Sequence, residues 1–480
     1  MIRPSQWYRG MLSSVLLLGV GAFSAVSAAE PSMDVQSEIK ALKAEVARLR
    51  AKDDESWLTE RRAEEVKTLI REVLSDADTR ASLAEGGVTA GHNGKNFYLA
   101  SEDGSFLMIV GGQIQMRYVH NFDTAGTGSA AGPDSEDFDD DDGGFQVRRS
   151  KLKFKGHVDA GRKWTYEIVL AGKRDDGLVE MEDAIIGTEI ADGWDIEFGK
   201  FKMPFLRTEL VSSSKQLAVD RAIVTEFFTI DRSEQIQLNY QGEMFRGSVS
   251  LNDGADSEFT IIGSDAAEVG VAARGEILLA GSWKSTGDFT AWSKEEDLVA
   301  SLGGAIFYQV GDGYNADNSS ESEANYFAWT VDGLIKVKPF SITAAFMGGH
   351  TELDGTPDPG DDDVLTNVAN RDMYGAMVQA GVFLIPDKLQ PFVRYEWLDP
   401  DNNDTDGLDD KAMFLTFGAN YYFKGHAAKF TGDVIWVMDL EDSIVSNPWG
   451  NSPFSDGLGF SGDGVEEDTL VARLQFQLLF

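Results

Sequence analysis

Two hydrophobic periods divide the chain. From Val35 the apolar positions step through Ile39, Leu42, Val46 and Leu49 at alternating spacings of four and three, with Glu, Lys and Arg between them. That is the a/d seam of a heptad repeat, and it predicts a helix that continues less regularly through Trp57, Leu58, Val66, Leu69, Ile70 and Val73. A short oligomeric coiled coil and a solvated amphipathic helix both satisfy this pattern. After Gly86 and Gly87 the period falls to two. Over Ser105–Asn121 the even positions Phe106, Met108, Val110, Ile114, Met116 and Tyr118 are apolar, while Gln113, Gln115 and Arg117 lie on the other face. The alternation recurs over 163–170, 234–240, 298–310, 325–337, 391–397, 413–423 and 430–438, and predicts an all-β body.

A soluble sandwich alternates too, so the end of the chain carries the argument further. Ala472, Leu474, Phe476, Leu478 and Phe480 share one face and Arg473, Gln475 and Gln477 the other. A final strand with an apolar band and a terminal Phe resembles the closing strand of bacterial outer-membrane barrels. In lipid, only a helix or a closed barrel satisfies every backbone N–H and C=O. The longest apolar run, Met11–Phe23, has about 13 residues against the roughly 20 that a spanning helix needs. It follows Arg3 and Arg9 and precedes the small residues Val26, Ser27, Ala28 and Ala29, so it reads as a secretory signal, with an uncleaved anchor as the other reading.

The expected layout is a signal peptide over 1–29, a periplasmic helical or coiled-coil segment over 30–84, a linker leading into the barrel over 85–104, and a transmembrane antiparallel β-barrel over 105–480. About 390 residues at roughly 24 per strand and connection give roughly sixteen strands, enough to leave a water-filled lumen. Short turns such as Asp159-Ala160-Gly161-Arg162 and Lys338-Pro339 alternate with long polar connections, as periplasmic turns alternate with external loops.

Composition narrows the function. With 80 acidic against 42 basic residues the net charge is −38, which argues against a nucleic-acid partner. There is no cysteine, and the five histidines show no ligand spacing, so neither a metal nor a cofactor is expected. No nucleophile elbow, His-Glu-x-x-His or phosphate-binding glycine loop appears, so no enzyme is expected. Much of the acid lies in Asp134–Asp142, Asp354–Asp363 and Asp399–Asp410, which read as a solvated exterior or as sites of divalent-cation bridging. The partial calcium-loop pattern at Asn402, Asp404, Asp406 and Gly407 fails because Met413 stands in the place of its bidentate Glu.

Several segments resemble the phosphate-selective porin O and P family. They are Gly111–Tyr118, the paired-Arg strand Val147–Gly156, Phe198–Phe205 followed by Ser212-Ser213-Ser214 and Asp220-Arg221, and the late segments Pro391–Asp399 and Asn420–His426. The resemblance implies a homotrimer of sixteen-stranded barrels in the bacterial outer membrane, conducting small anions such as phosphate past basic residues at a constriction. The chain departs from that pattern by placing Glu167, Glu197, Glu276 and Glu396 on its wet faces and Met203 where an acidic residue is common before Pro-Phe.

A channel needs charge at its narrowest point. Arg149, Lys151, Lys153 and Lys155 share one face of a strand at spacings of about 7 Å, and Arg117 extends that ladder on the neighbouring strand. The long connection Lys202–Phe228 adds Lys202, Arg207, Lys215 and Arg221 and is placed to fold into the lumen; Arg394 completes the basic set. Two alternatives stay open: the ladder pairs with wet-face carboxylates, or Glu209, Asp220 and Glu226 neutralise the loop from within. An anion-preferring diffusion channel is the leading expectation. A general or cation-preferring porin is the second, and an envelope tether that touches the cell wall through the helical segment is the third.

Overall fold

The computed structural model describes residues 43–44, 87–94, 96–122, 143–174, 177–255, 269–312, 323–354, 371–400, 411–440, 453–459 and 467–480. The signal peptide, nearly all of the predicted coiled coil and most of the acidic loops lie outside the described residues. The chain divides into two units, Met1–Gly87 and Val88–Phe480. In the first, Lys43, Ala44 and Gly87 are described, the first two helical.

The second unit opens with a hairpin, β1 (Val88–His92) and β2 (Phe97–Ser101), within the stretch that leads into the barrel. Sixteen strands follow: β3 (Phe106–Phe122), β4 (Gly143–Asp159), β5 (Lys163–Gly172), β6 (Val179–Ala191), β7 (Trp194–Lys202), β8 (Arg232–Gln241), β9 (Phe245–Asn252), β10 (Val269–Ala280), β11 (Leu298–Asp312), β12 (Glu323–Val337), β13 (Phe340–Asp354), β14 (Arg371–Val382), β15 (Leu389–Asp399), β16 (Ala412–Tyr422), β17 (Ala428–Leu440) and β18 (Leu470–Leu479). Each pairs antiparallel with its sequence neighbour, and β18 pairs with β3, closing a sixteen-stranded barrel. Closure leaves no open edge, which is what allows a sheet to stand in lipid.

The period-two pattern sorts the faces as expected. On β3 and β18 the outward Ile114, Met116, Leu474, Phe476 and Leu478 are exposed, while the inward Gln113, Gln115, Arg117, Arg473, Gln475 and Gln477 are buried. Phe480 exchanges backbone hydrogen bonds with Gly112 and lays its ring over that residue; a Cβ at Gly112 would lie 2.3 Å from Phe480 Cζ. Beyond the chain end β2 occupies the same edge of β3, from Val110 to Leu107, so that edge stays paired.

The register shifts at five strand pairs among the described residues, and two of these bulges shape the lumen. On β4, Gln115 faces Arg149 but Met116 faces Val147, so one extra residue turns both Arg148 and Arg149 inward. On β6, Val169 faces Asp183 and Leu170 faces Met181, which brings Glu182 and Asp183 to the same side.

The lumen is not simply water-filled, which corrects the sequence expectation. The β7–β8 connection, 203–231, turns into the barrel and carries α1 (Arg207–Leu210) and α2 (Ile223–Phe228). Ile223, Val224, Phe227 and Phe228 pack against inward Met347, Met373, Met377, Leu398 and Phe414, and Phe454 and Leu458, from or just beyond the short helix α3 (Pro453–Gly457), join the same cluster. The hydrophobic effect draws these loops onto the wall, since each large apolar side chain gains roughly 1.5–3 kcal/mol on burial. Gly375 permits the approach, for a Cβ there would lie 2.3 Å from Val224 Cγ2. The β10–β11 connection, 281–297, enters from the end of the short turns and packs Trp292 against Phe383, Tyr422 and His426. One side of the lumen is thereby filled, and a cavity remains between the inward loop and β4–β8.

Candidate functional site

The inward loop is fastened to the wall by charge. The buried Asp220 carboxylate receives Arg117 Nη1 at 2.5 Å, Arg148 Nε at 2.7 Å and Arg149 Nη2 at 2.7 Å. Burial pushes the Asp220 carboxyl up, but the three guanidinium groups outweigh it and hold it well below the usual carboxylate range. On the far side Arg207 reaches Glu276 at 2.9 Å and Asp332 at 3.6 Å, and Arg274 pairs with the same two acids. The loop thus offers an acid to a basic wall and a base to an acidic wall, which sets its orientation as well as its depth.

Backbone contacts complete the fastening. Val219 N donates to Asp433 and Val224 N to Glu396 Oε2. Arg394 pairs with Glu396 at 2.7 Å and donates to the Asp220 carbonyl at 3.0 Å. Lys215 Nζ donates to Gly287 O and Arg207 Nη2 to Thr286 O, both at 3.1 Å, so the inward loop meets the 281–297 connection inside the barrel.

The ladder residues therefore occupy different environments. Arg117 and Arg149 sit in the Asp220 cluster. Lys151 pairs with Glu182. Lys153 is half-buried and Lys155 exposed, and neither forms an ion pair with a described residue. Lys202 donates to Glu209 O at 2.8 Å, and Arg221 lies 3.8 Å from Glu226 while contacting the carbonyls of Thr208 and Glu209.

Between the inward loop and β4–β8 lies a cavity of about 510 Å³. It is lined by nine basic residues, Arg148, Arg149, Lys151, Lys173, Arg174, Lys200, Lys202, Arg221 and Arg232, against five acidic ones, Glu180, Glu182, Glu209, Glu226 and Asp231. Arg232 is the hub of its acidic side, with Asp183 at 2.7 Å and Glu182 and Asp231 at 2.8 Å. Sequence reasoning selected Arg149, Lys151, Lys202 and Arg221 from this lining; among those it missed are Arg148 and Arg232. The first is hidden by the bulge, and the second lies at the start of a strand whose partners are some 50 positions away.

Near the short-turn end, Lys336 holds Asp288 at 2.7 Å and Glu295 at 3.2 Å. Burial pushes the Glu295 carboxyl up to about 7, against the pull of Lys336. Its proton is thus held more tightly in the folded chain than in the unfolded one, so ionisation costs stability as pH rises towards and through 7. Glu295→Gln is expected to raise the melting temperature relative to wild type at about pH 8 and to give no such gain at about pH 4, as read by circular dichroism in detergent.

An uncharacterized protein of Aquifex aeolicus (strain VF5) is 24% identical over 317 residues, spanning 61% of this chain and 72% of its own length. Among solved structures, a loop L8 deletion mutant of OmpT, an outer membrane protein of Vibrio cholerae, is similar over 78% of this chain and 100% of its own, with 11% identity and a TM-score of 0.49. The outer membrane channel DcaP of Acinetobacter baumannii is similar over 79% of this chain and 99% of its own, with 15% identity and a TM-score of 0.47. Residues 128–440, well over half of the chain, match the family described as phosphate-selective porin O and P. A closed barrel narrowed by an inward loop is an outer-membrane diffusion channel, and the chain belongs to the phosphate-selective porin O and P family.

Proposed function

We propose that this channel prefers anions, and that small oxyanions such as phosphate pass through the cavity between the inward loop and β4–β8. The observation that carries this reading is the excess of basic side chains lining that cavity, nine against five, or seven against five with Arg148 and Arg149 set aside as partners of Asp220. The formal charge of −38 does not oppose it. Exposed charges farther than a Debye length, about 8 Å, from the constriction are screened, and local residues set the potential there. Lys153 and Lys155 continue the basic face along β4 and offer successive weak sites of the kind that lets an ion enter and leave.

In this reading three chains assemble as a homotrimer in outer-membrane lipid, residues 1–29 direct export, and the helical segment 30–84 lies in the periplasm, where contact with the cell wall is a second role. Flux into proteoliposomes tests the central part. Phosphate and acetate are expected to enter several-fold faster than organic cations of matching size, and equal rates would reject the preference.

A further inference from the structure

We propose that Asp220 is an intramolecular ligand: its carboxylate fills an oxyanion-binding site built by Arg117, Arg148 and Arg149, fastening the inward loop and keeping that site from anions in transit. Three guanidinium groups from two adjacent strands converge on one carboxylate, with four hydrogen bonds between 2.5 and 3.3 Å. Their side chains are at most 8% exposed and that of Asp220 is 1% exposed. Guanidinium remains charged even when buried, and its planar fork matches carboxylate or phosphate. Three cations facing one anion leave an excess of positive charge that any oxyanion of suitable size would relieve.

The arrangement is built, not incidental. Arg148 and Arg149 point the same way only because of the β4 bulge. Gln146 and Gln115 accept hydrogen bonds from Arg117 and Arg149 and hold those guanidinium planes. The occupant, by contrast, comes from the loop. Tethering gives it an effective concentration in the millimolar range or above, so free anions at lower concentration do not displace it.

Removing the charge while keeping the shape separates site from occupant. In chloride, Asp220→Asn is expected to lower the melting temperature of the detergent-solubilised protein. Sodium acetate or inorganic phosphate, added at constant ionic strength, is expected to restore most of that loss saturably. Wild type and Asp220→Glu are expected to show no such response. The triple variant Asp220→Asn/Arg148→Gln/Arg149→Gln is expected to lose the recovery. Should Asp220→Asn fail to fold in chloride, refolding yield with and without phosphate reads the same binding. A variant indifferent to acetate and phosphate, or equal recovery in the triple variant, would overturn the proposal. These readouts do not depend on ion preference, so a cation-selective channel would leave this inference standing and reject only the anion reading.

Discussion

Asp433→Ala is expected to destabilise the barrel by about 3–5 kcal/mol, the usual consequence of stripping one partner from a buried ion pair. Asp433 and Arg473 pair at 2.8 Å through two guanidinium nitrogens, and both side chains are fully buried. The carboxylate also accepts the Val219 N–H of the inward loop. Truncation therefore leaves a buried guanidinium without its counter-charge and a loop N–H without its acceptor. Arg473 also donates to Gly457 O at the end of α3, so the disturbance spreads to both loops that fill the lumen. Asp433→Leu/Arg473→Met, which replaces both charges with apolar side chains, is expected to recover most of the stability but not the seat of the loop. Thermal unfolding by circular dichroism measures the first effect. Larger and noisier single-channel currents in both variants measure the second. A loss under about 1 kcal/mol for Asp433→Ala would mean that water reaches Arg473 and that this part of the lumen is open.

Strand phase was readable wherever one face is wet. Gln113, Gln115 and Arg117 on β3, and Arg473, Gln475 and Gln477 on β18, point inward as the period of two requires. It was less readable where loops fill the lumen, because both faces are then apolar. On β14 the inward Met373 and Met377 alternate with outward Tyr374 and Val378, and on β17 Ile435 and Val437 alternate with Val434 and Trp436. Such strands carry no polar mark to say which side holds the lumen. Bulges were hidden for another reason. One inserted residue changes no composition, yet it reversed the side of Arg148 and set Glu182 beside Asp183.

The inward loop announced itself by length and by its basic residues, but its partners did not. Asp220 meets Arg117 across 103 positions, and Val219 meets Asp433 across 214. Local sequence carries no record of such distances. The 281–297 connection was not singled out from sequence, because its place in the lumen depends on Lys336 and His426, distant in the chain, gathering around Asp288.

The second large effect concerns selectivity. Lys151, Lys202 and Arg232 border the open cavity, and changing all three to Gln removes three positive charges from its lining while leaving Arg117, Arg148 and Arg149 bound to Asp220. The five acids, Glu180, Glu182, Glu209, Glu226 and Asp231, then gain weight against the remaining bases. In a narrow, weakly screened space a change of that size moves the potential enough to reverse which ion is favoured. Lys153→Gln/Lys155→Gln, lower on the same strand, is expected to weaken anion preference without reversing it.

The measurement that tests the central claim most directly is the zero-current reversal potential of the purified protein in planar bilayers under a potassium chloride gradient, with the Lys151→Gln/Lys202→Gln/Arg232→Gln variant alongside. The expected result is a potential of anion-selective sign in wild type that moves to zero or to the opposite sign in the variant. A cation-selective potential in wild type, or an anion preference that the variant retains in full, would contradict the assignment of selectivity to this cavity.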